Sequence, residues 1–371
     1  MVLRQEWGLG SMNQNQRWEH GSEFHWLSFQ NVLPEISPWS NSGVSFGSGR
    51  DAFRALLLHG RETRAWRRLW VPSYFCQQVI LSFLSAGVEV SIYPDGPGQP
   101  SHGVDDVDFR SGDVVLYVNF FGLNTKKPGL KLSCDDVEII EDHTHDPWSA
   151  WAWSSEADWC VVSLRKTLPV PGGGFLWSPT GHRLPSANGV TGERRTALSD
   201  KLASMLLKKL YLEGAPVSKD TFRCPALSGE RRIASGNVSG MPDWNAALLS
   251  TFPISAWREQ RRENHQILTR ILAHSEKVNV LQGKFGSEAC PFSGFLVFQD
   301  EETRNRVRHE LIASRIYPAI LWPLDEPVLE GVLTEHKELS RLMLSVHCDM
   351  RYGKEDMLRV ASSIKRALRE T

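Results

Sequence analysis

The stretch from Trp159 to Gly174, Trp-Cys-Val-Val-Ser-Leu-Arg-Lys-Thr-Leu-Pro-Val-Pro-Gly-Gly-Gly, constrains the fold more than any other part of the chain. Its apolar run, Trp159 to Leu164, reads as a buried strand. Ser163 lies near the end of that run, Lys166 follows three residues on, and a loop with three glycines comes after. Upstream, a second apolar run, Val137 to Ile140, ends in Glu141-Asp142-His143-Thr144-His145. The same rhythm recurs. Leu69–Pro72 and Val88–Tyr93 read as strands with a helix between them, running from a Ser73 cap to Ala86. Asp113 to Phe121 reads as the cleanest buried strand. Strands that alternate with helices in this way build a mainly parallel sheet covered by helices.

An acid at one strand end and a lysine at another suit pyridoxal 5'-phosphate (PLP). A Schiff-base lysine faces the cofactor's aldehyde, and a carboxylate holds a proton on its pyridine nitrogen. Lys166 and Asp142 are therefore the candidate catalytic pair. Phe46-Gly47-Ser48-Gly49-Arg50-Asp51-Ala52 opens a helix that runs through Leu58 and stops near Gly60. Free amides at such a helix start, around Ser48, Gly49 and Arg50, hold a phosphate together with Ser163. Gly47, Gly49 and Ala52 also match G-x-G-x-x-A, but no acid follows about twenty residues on, where a ribose partner belongs. Asn119, near the C-terminal end of a buried strand, lies where such sheets bind ligands or else closes a turn. Asp142, His143 and His145 have a metal reading, although nothing else in the sequence completes a ligand set. Arg351 follows a strand and either grips a substrate carboxylate bidentately or is surface charge.

Glu141-Asp142 with His145, then Ser163-x-x-Lys166 and the glycine loop, resemble the PLP enzymes of the aspartate-aminotransferase fold, fold type I. From about Phe46 to the C-terminus, the order of segments resembles the DegT-type sugar aminotransferases. Those enzymes usually place two more residues between the serine and the lysine. The resemblance implies a seven-stranded-type, mainly parallel sheet sandwiched by helices, with a smaller α+β domain at the C-terminus. The divisions expected are an arm at 1–44, a large cofactor-binding domain at 45–255 and a small domain at 256–371. It also implies that an aromatic after Pro72-Ser73 stacks on the cofactor ring. Tyr74 and Phe75 are the candidates, while strict alignment puts Cys76 there. His145 takes the place of the family's glutamine or histidine near the ring oxygen or Asp142. A homodimer is implied too, with the Gly/Ser/Pro-rich connection 214–242 reaching the partner's site.

The chain has 371 residues, enough for a sizeable core and two domains. Its net charge of −1 argues against a nucleic-acid footprint and gives no case for a membrane surface. No apolar run approaches the length of a membrane span, and the start lacks an apolar signal core. Six cysteines without paired spacing read as reduced thiols in a cytoplasmic protein. The expected activity is an aminotransferase that moves an amino group from an amino acid to a keto acceptor. By family analogy that acceptor is a keto sugar nucleotide or a secondary-metabolite precursor. A PLP lyase, racemase or decarboxylase, or a non-catalytic PLP-binding homologue, stands as the alternative.

Overall fold

The computed structural model describes residues 17–27, 35–98, 103–125, 132–134, 136–187, 189–283 and 288–369. Residues 1–16 and 28–34 of the expected arm lie outside the described residues. The chain opens with the two-residue strand β1 (His20–Gly21), then β2 (Val44–Phe46), helix α1 (Gly49–Thr63), β3 (Arg68–Pro72), α2 (Gln77–Leu84), β4 (Glu89–Tyr93) and β5 (Asp113–Val118). It continues through β6 (Glu138–Asp142), α3 (Ala150–Trp153), β7 (Trp159–Ser163) and β8 (Gly174–Trp177). Strands β2 to β8 form one seven-stranded sheet in the order β2-β8-β7-β6-β5-β3-β4. From β4 to β7 every neighbouring pair is parallel, and β8 runs antiparallel to both its neighbours. The fold is thus the mainly parallel α/β sheet that the sequence implies. The run of apolar and aromatic residues from Val114 to Val118 in β5 follows from its place, since all six residues of the strand are buried.

Four helices follow: α4 (Gly192–Leu212), α5 (Lys219–Ala234), α6 (Asp243–Leu249) and α7 (Ile254–Leu272). The last part holds β9 (Val278–Val280), β10 (Ser293–Phe298), α8 (Glu301–Ala313), β11 (Ile316–Tyr317), α9 (Thr334–Leu342), β12 (Met343–His347) and α10 (Lys354–Arg369). Strands β12, β10 and β9 make a separate antiparallel sheet. It shares a second apolar core with α7, α8 and α10, built on residues such as Leu268, Leu296, Val307 and Ile364. The segment 17–27 fastens to this part: β1 pairs in parallel with β11, and the Gly21 amide donates to the Tyr352 hydroxyl at 2.7 Å.

Three local expectations shift. α1 runs through Gly60 rather than ending there, because Gly60 is a packing residue. A Cβ on it would lie 2.0 Å from the Trp66 indole. α2 starts at Gln77 and not after Ser73, whose hydroxyl instead accepts from the Leu333 amide at 3.0 Å. The supposed connection 214–242 contains α5, a helix of 16 residues. Pro225 and Gly229 hid it, since both read as helix breakers. Gly229 is there for contact with α4: a Cβ on it would come within 2.7 Å of the Ala197 carbonyl oxygen.

A buried ion pair ties α4 to α1. Arg194 Nη2 lies 2.7 Å from Asp51 Oδ1, with the two side chains 2% and 1% exposed. Ser48 caps α1 and donates to the other Asp51 oxygen at 2.8 Å. Removing one member of such a pair strands the other. Arg194→Met should therefore cost about 3–5 kcal/mol in urea unfolding. Combining it with Asp51→Asn should recover part of the loss. Equal stability of Arg194→Met and the native chain would refute this role.

Candidate active site

Asp142 and Ser163 end the adjacent parallel strands β6 and β7, and Lys166 lies one turn beyond Ser163. Ligands gather at the C-terminal ends of strands in such sheets. The N-terminus of α1 closes the other side. A Cβ on Gly49 would sit 2.6 Å from the Ser163 Cβ, and one on Gly174 would sit 2.5 Å from the Ser48 carbonyl carbon. Only glycine lets these backbones approach so closely. The glycine loop is therefore a packed corner and not a slack one.

This corner leaves polar groups facing one space. The Ser163 hydroxyl makes no hydrogen bond among the described residues. The Arg50 amide, in the first turn of α1, has no carbonyl four residues back within the helix. Ser48 contributes its backbone only, because its hydroxyl is committed to capping and to Asp51. The Arg50 guanidinium reaches Glu230 on α5 at 2.8 Å, and Arg165 reaches the same Glu230 oxygen at 2.8 Å. Lys166 extends into this cationic space. Its ammonium is pushed down to about 8, first by the neighbouring Arg165, then by the surrounding walls and Arg50, against Glu230 and Cys76. The residue itself is exposed, so solvent tempers the effect of the walls.

Asp142 is held for one orientation. Its Oδ1 accepts the Thr144 amide at 2.9 Å, and the Thr144 hydroxyl accepts the Ser163 amide at 3.0 Å. Thr144 thus couples the carboxylate to the strand that carries the lysine. Burial pushes the Asp142 carboxyl up, while its bonds to Thr144 and the charge of His143 pull it down. His145 is neutral. Burial and then Lys166 lower it to about 3, against a hydrogen bond to the Asn119 backbone. Its Nδ1 lies 3.3 Å from the Phe121 amide, and its ring packs among Phe121, Phe292 and Trp322.

Other sequence candidates lie elsewhere. Tyr74 and Phe75 are core residues, 0% and 2% exposed. The Tyr74 hydroxyl donates to the Leu321 carbonyl, and Phe75 packs on Phe83 and Trp322. Neither is free to cover a ring, whereas Cys76 stands close enough to Lys166 and Arg50 to influence both. The Asn119 amide group bonds Asn124 in both directions, at 3.2 and 3.3 Å, so it closes the turn after β5. Arg351 is not open to a substrate. It forms a two-nitrogen pair with Asp349 at 2.8 Å, donates to the Ser22 and Glu23 carbonyls, and lies over Phe24. It holds the 17–27 segment to the C-terminal part.

The metal set suggested by Asp142, His143 and His145 does not converge. His143 turns the other way, to Glu141 at 3.0 Å. Glu141, His143 and Cys160 do come together, but in a buried cluster that Ser155 bridges. The sequence reading missed Thr144, Arg165 and Glu230, and gave Cys76 only as the strictly aligned position after Pro72-Ser73. Asp142-His143-Thr144 carries a local signal for the first, since a side-chain carboxylate that accepts the amide two residues on is a common turn. Glu230 had none, because its helix was not expected.

The same architecture recurs in solved structures. DesV of S. venezuelae matches with a TM-score of 0.59 and 14% identity over 89% of this chain and 85% of that one. The GDP-4-keto-6-deoxymannose-3-dehydratase ColD with bound GDP-perosamine matches at 0.58 and 12%, over 87% and 88%. A putative sugar aminotransferase, Spr1654 of Streptococcus pneumoniae in its PLP form, matches at 0.55 and 13%, over 91% and 93%. At these identities the likeness establishes the fold. Neither the family models nor the curated proteins yield a match.

The depressed ammonium makes a direct prediction. Positive neighbours favour the neutral amine, so acylation of Lys166 by acetic anhydride, followed by peptide mass mapping, should rise with pH through a midpoint near 8. Arg165→Gln removes the largest cause and should move the midpoint upward. A midpoint near that of an ordinary lysine, about 10.4, in the native chain would contradict the site's electrostatics.

Proposed function

We propose that this protein is a PLP-dependent aminotransferase. It takes an amino group from an amino acid donor and delivers it to a keto acceptor. The observation that carries the reading is the convergence of Lys166, Asp142 and a phosphate cup at the ends of two adjacent parallel strands. The donor set fits the cofactor. A lysine with a lowered pKa suits its aldehyde, and a buried carboxylate suits its pyridine nitrogen. Ser163, the α1 amides and the guanidinium of Arg50 suit its phosphate. When bound, the cofactor supplies an electron sink at the substrate carbon.

The chain's own residues do the rest. Lys166 anchors the cofactor and, once released, carries a proton between substrate carbon and cofactor. Asp142 keeps a proton on the pyridine nitrogen, because a nearby opposite charge favours the protonated form. Thr144 fixes the angle of that carboxylate. His145, uncharged, fills the wall beside Lys166 without adding a second positive charge. DesI, solved with its TDP-sugar product, shares the fold at a TM-score of 0.56, which supports a keto sugar nucleotide as acceptor. Solution as a homodimer with sites at the interface belongs to the same reading. So does a reducing, cytoplasmic setting, in which the cysteines stay as thiols. Among the described residues, no helix is long and apolar enough to cross a membrane.

The presence of a dehydratase among the similar structures favours a lyase as the second reading. Product analysis separates the two. With glutamate and a keto sugar nucleotide, the transaminase yields 2-oxoglutarate and an amino sugar in equal amounts, and the lyase yields no amino sugar.

Two outcomes test the assignments. Borohydride treatment of the PLP-loaded protein should leave the pyridoxyl group on Lys166; recovery on Lys201 or Lys208 would defeat the site. Asp142→Asn should still take up PLP but lose turnover by about a hundredfold to a thousandfold, the scale of one preorganised electrostatic contact. If Asp142 serves only to cap its strand, the same variant would melt earlier and turn over normally.

A further inference from the structure

Glu230 occupies an unusual position for a carboxylate. Its Oε1 receives both Arg50 and Arg165 at 2.8 Å, and its Oε2 lies 3.3 Å from Lys201 Nζ on α4. Two guanidinium groups converging on one oxygen is how proteins grip an anion such as a phosphate. Arg50 belongs to the first turn of α1, and Arg165 is the immediate neighbour of Lys166. The carboxylate that fills this grip comes from α5, which is packed along α4. It is one-third exposed, whereas the two arginine side chains are 13% and 11% exposed. Burial alone would raise the Glu230 carboxyl, but Arg165, Lys201, Lys166 and Arg50 together hold it well below the usual carboxylate range. It therefore stays charged throughout the working pH range.

We propose that Glu230 is an internal stand-in for the cofactor's phosphate. In the chain without cofactor it neutralises Arg50 and Arg165, which would otherwise repel each other and Lys166. An incoming phosphate takes over these arginines, and Glu230 withdraws toward Lys201. Cofactor entry is then coupled to the seating of α5 on the mouth of the site. This inference rests on the cofactor reading above. Its energetic signature is a tax: part of the phosphate's binding free energy goes to displacing a group already in place.

The test is titration of the full-length protein with PLP, pyridoxal and inorganic phosphate, followed by absorbance for the first two and calorimetry for the third. Glu230→Gln keeps the side chain's size and removes its charge. It should bind PLP and inorganic phosphate at least about tenfold more tightly than the native chain, and the gain for PLP should exceed any gain for pyridoxal, which shares only the effect on Lys166. Where the neutral variant fails to fold, Glu230→Asp carries the test. It keeps the charge but shortens the reach, and should bind PLP and inorganic phosphate more tightly than the native chain. Equal PLP affinity in the native chain and the variant that folds overturns the inference and leaves the cofactor reading standing. A gain for pyridoxal as large as for PLP overturns it as well, since the effect would not be on the phosphate. No PLP uptake by any of the proteins overturns the cofactor reading and this inference with it.

Discussion

The corner where α1 meets β7 and β8 determines the rest. Three glycines and one serine bring the Gly47–Gly49 backbone against Ser163 and Gly174, with the Gly173 amide donating to the Gly47 carbonyl at 2.8 Å. This contact aims the start of α1 at the end of β7. Ser48 and Asp51 then spend their side chains on capping and on Arg194, which pins α4 to the same corner. Without that approach the strand ends would still carry Asp142 and Lys166. They would lack the opposing wall that the start of α1 provides.

The electrostatics of the cup follow from how many cations it gathers. Arg50, Arg165 and Lys166 lie close together, and Lys201 stands behind. Arg165 and Arg50 raise the cost of protonating Lys166, so the lysine keeps a neutral amine at a lower pH than an isolated side chain would. Glu230 limits the effect. Asp142, on the neighbouring strand, is linked to the end of β7 through Thr144. Under the proposed cofactor reading, the cationic group would take the phosphate and Asp142 the pyridine nitrogen.

The sheet, the strand-end acid and the strand-end lysine were legible in the sequence because each is written locally. Buried parallel strands are continuous apolar runs, and β7 and β5 are such runs. The residues that fill the site from a distance were not legible. Glu230 lies 65 residues beyond Arg165 on a helix whose proline and glycine read as breakers. Aromatic residues after Pro72 were read as a ring cover, but a pattern of large apolar residues does not say which one faces in. Tyr74 and Phe75 went to the core and left Cys76 at the surface of the cleft. Arg351 failed as a substrate ligand for a similar reason. Its partner Asp349 is two residues away, and the chain segment it holds comes from the far N-terminal end.

Ser163 ends β7 in extended backbone, and the chain turns immediately after it, over Leu164–Lys166. The Leu164 carbonyl closes that turn by accepting the Thr167 amide at 3.1 Å and the Leu168 amide at 2.9 Å. The tight turn needs an anchor at its start, and Leu164 supplies one by donating its amide to the Gly173 carbonyl at 3.0 Å. The glycine loop thus serves twice: it receives the start of α1, and it holds the turn that aims the lysine into the same space.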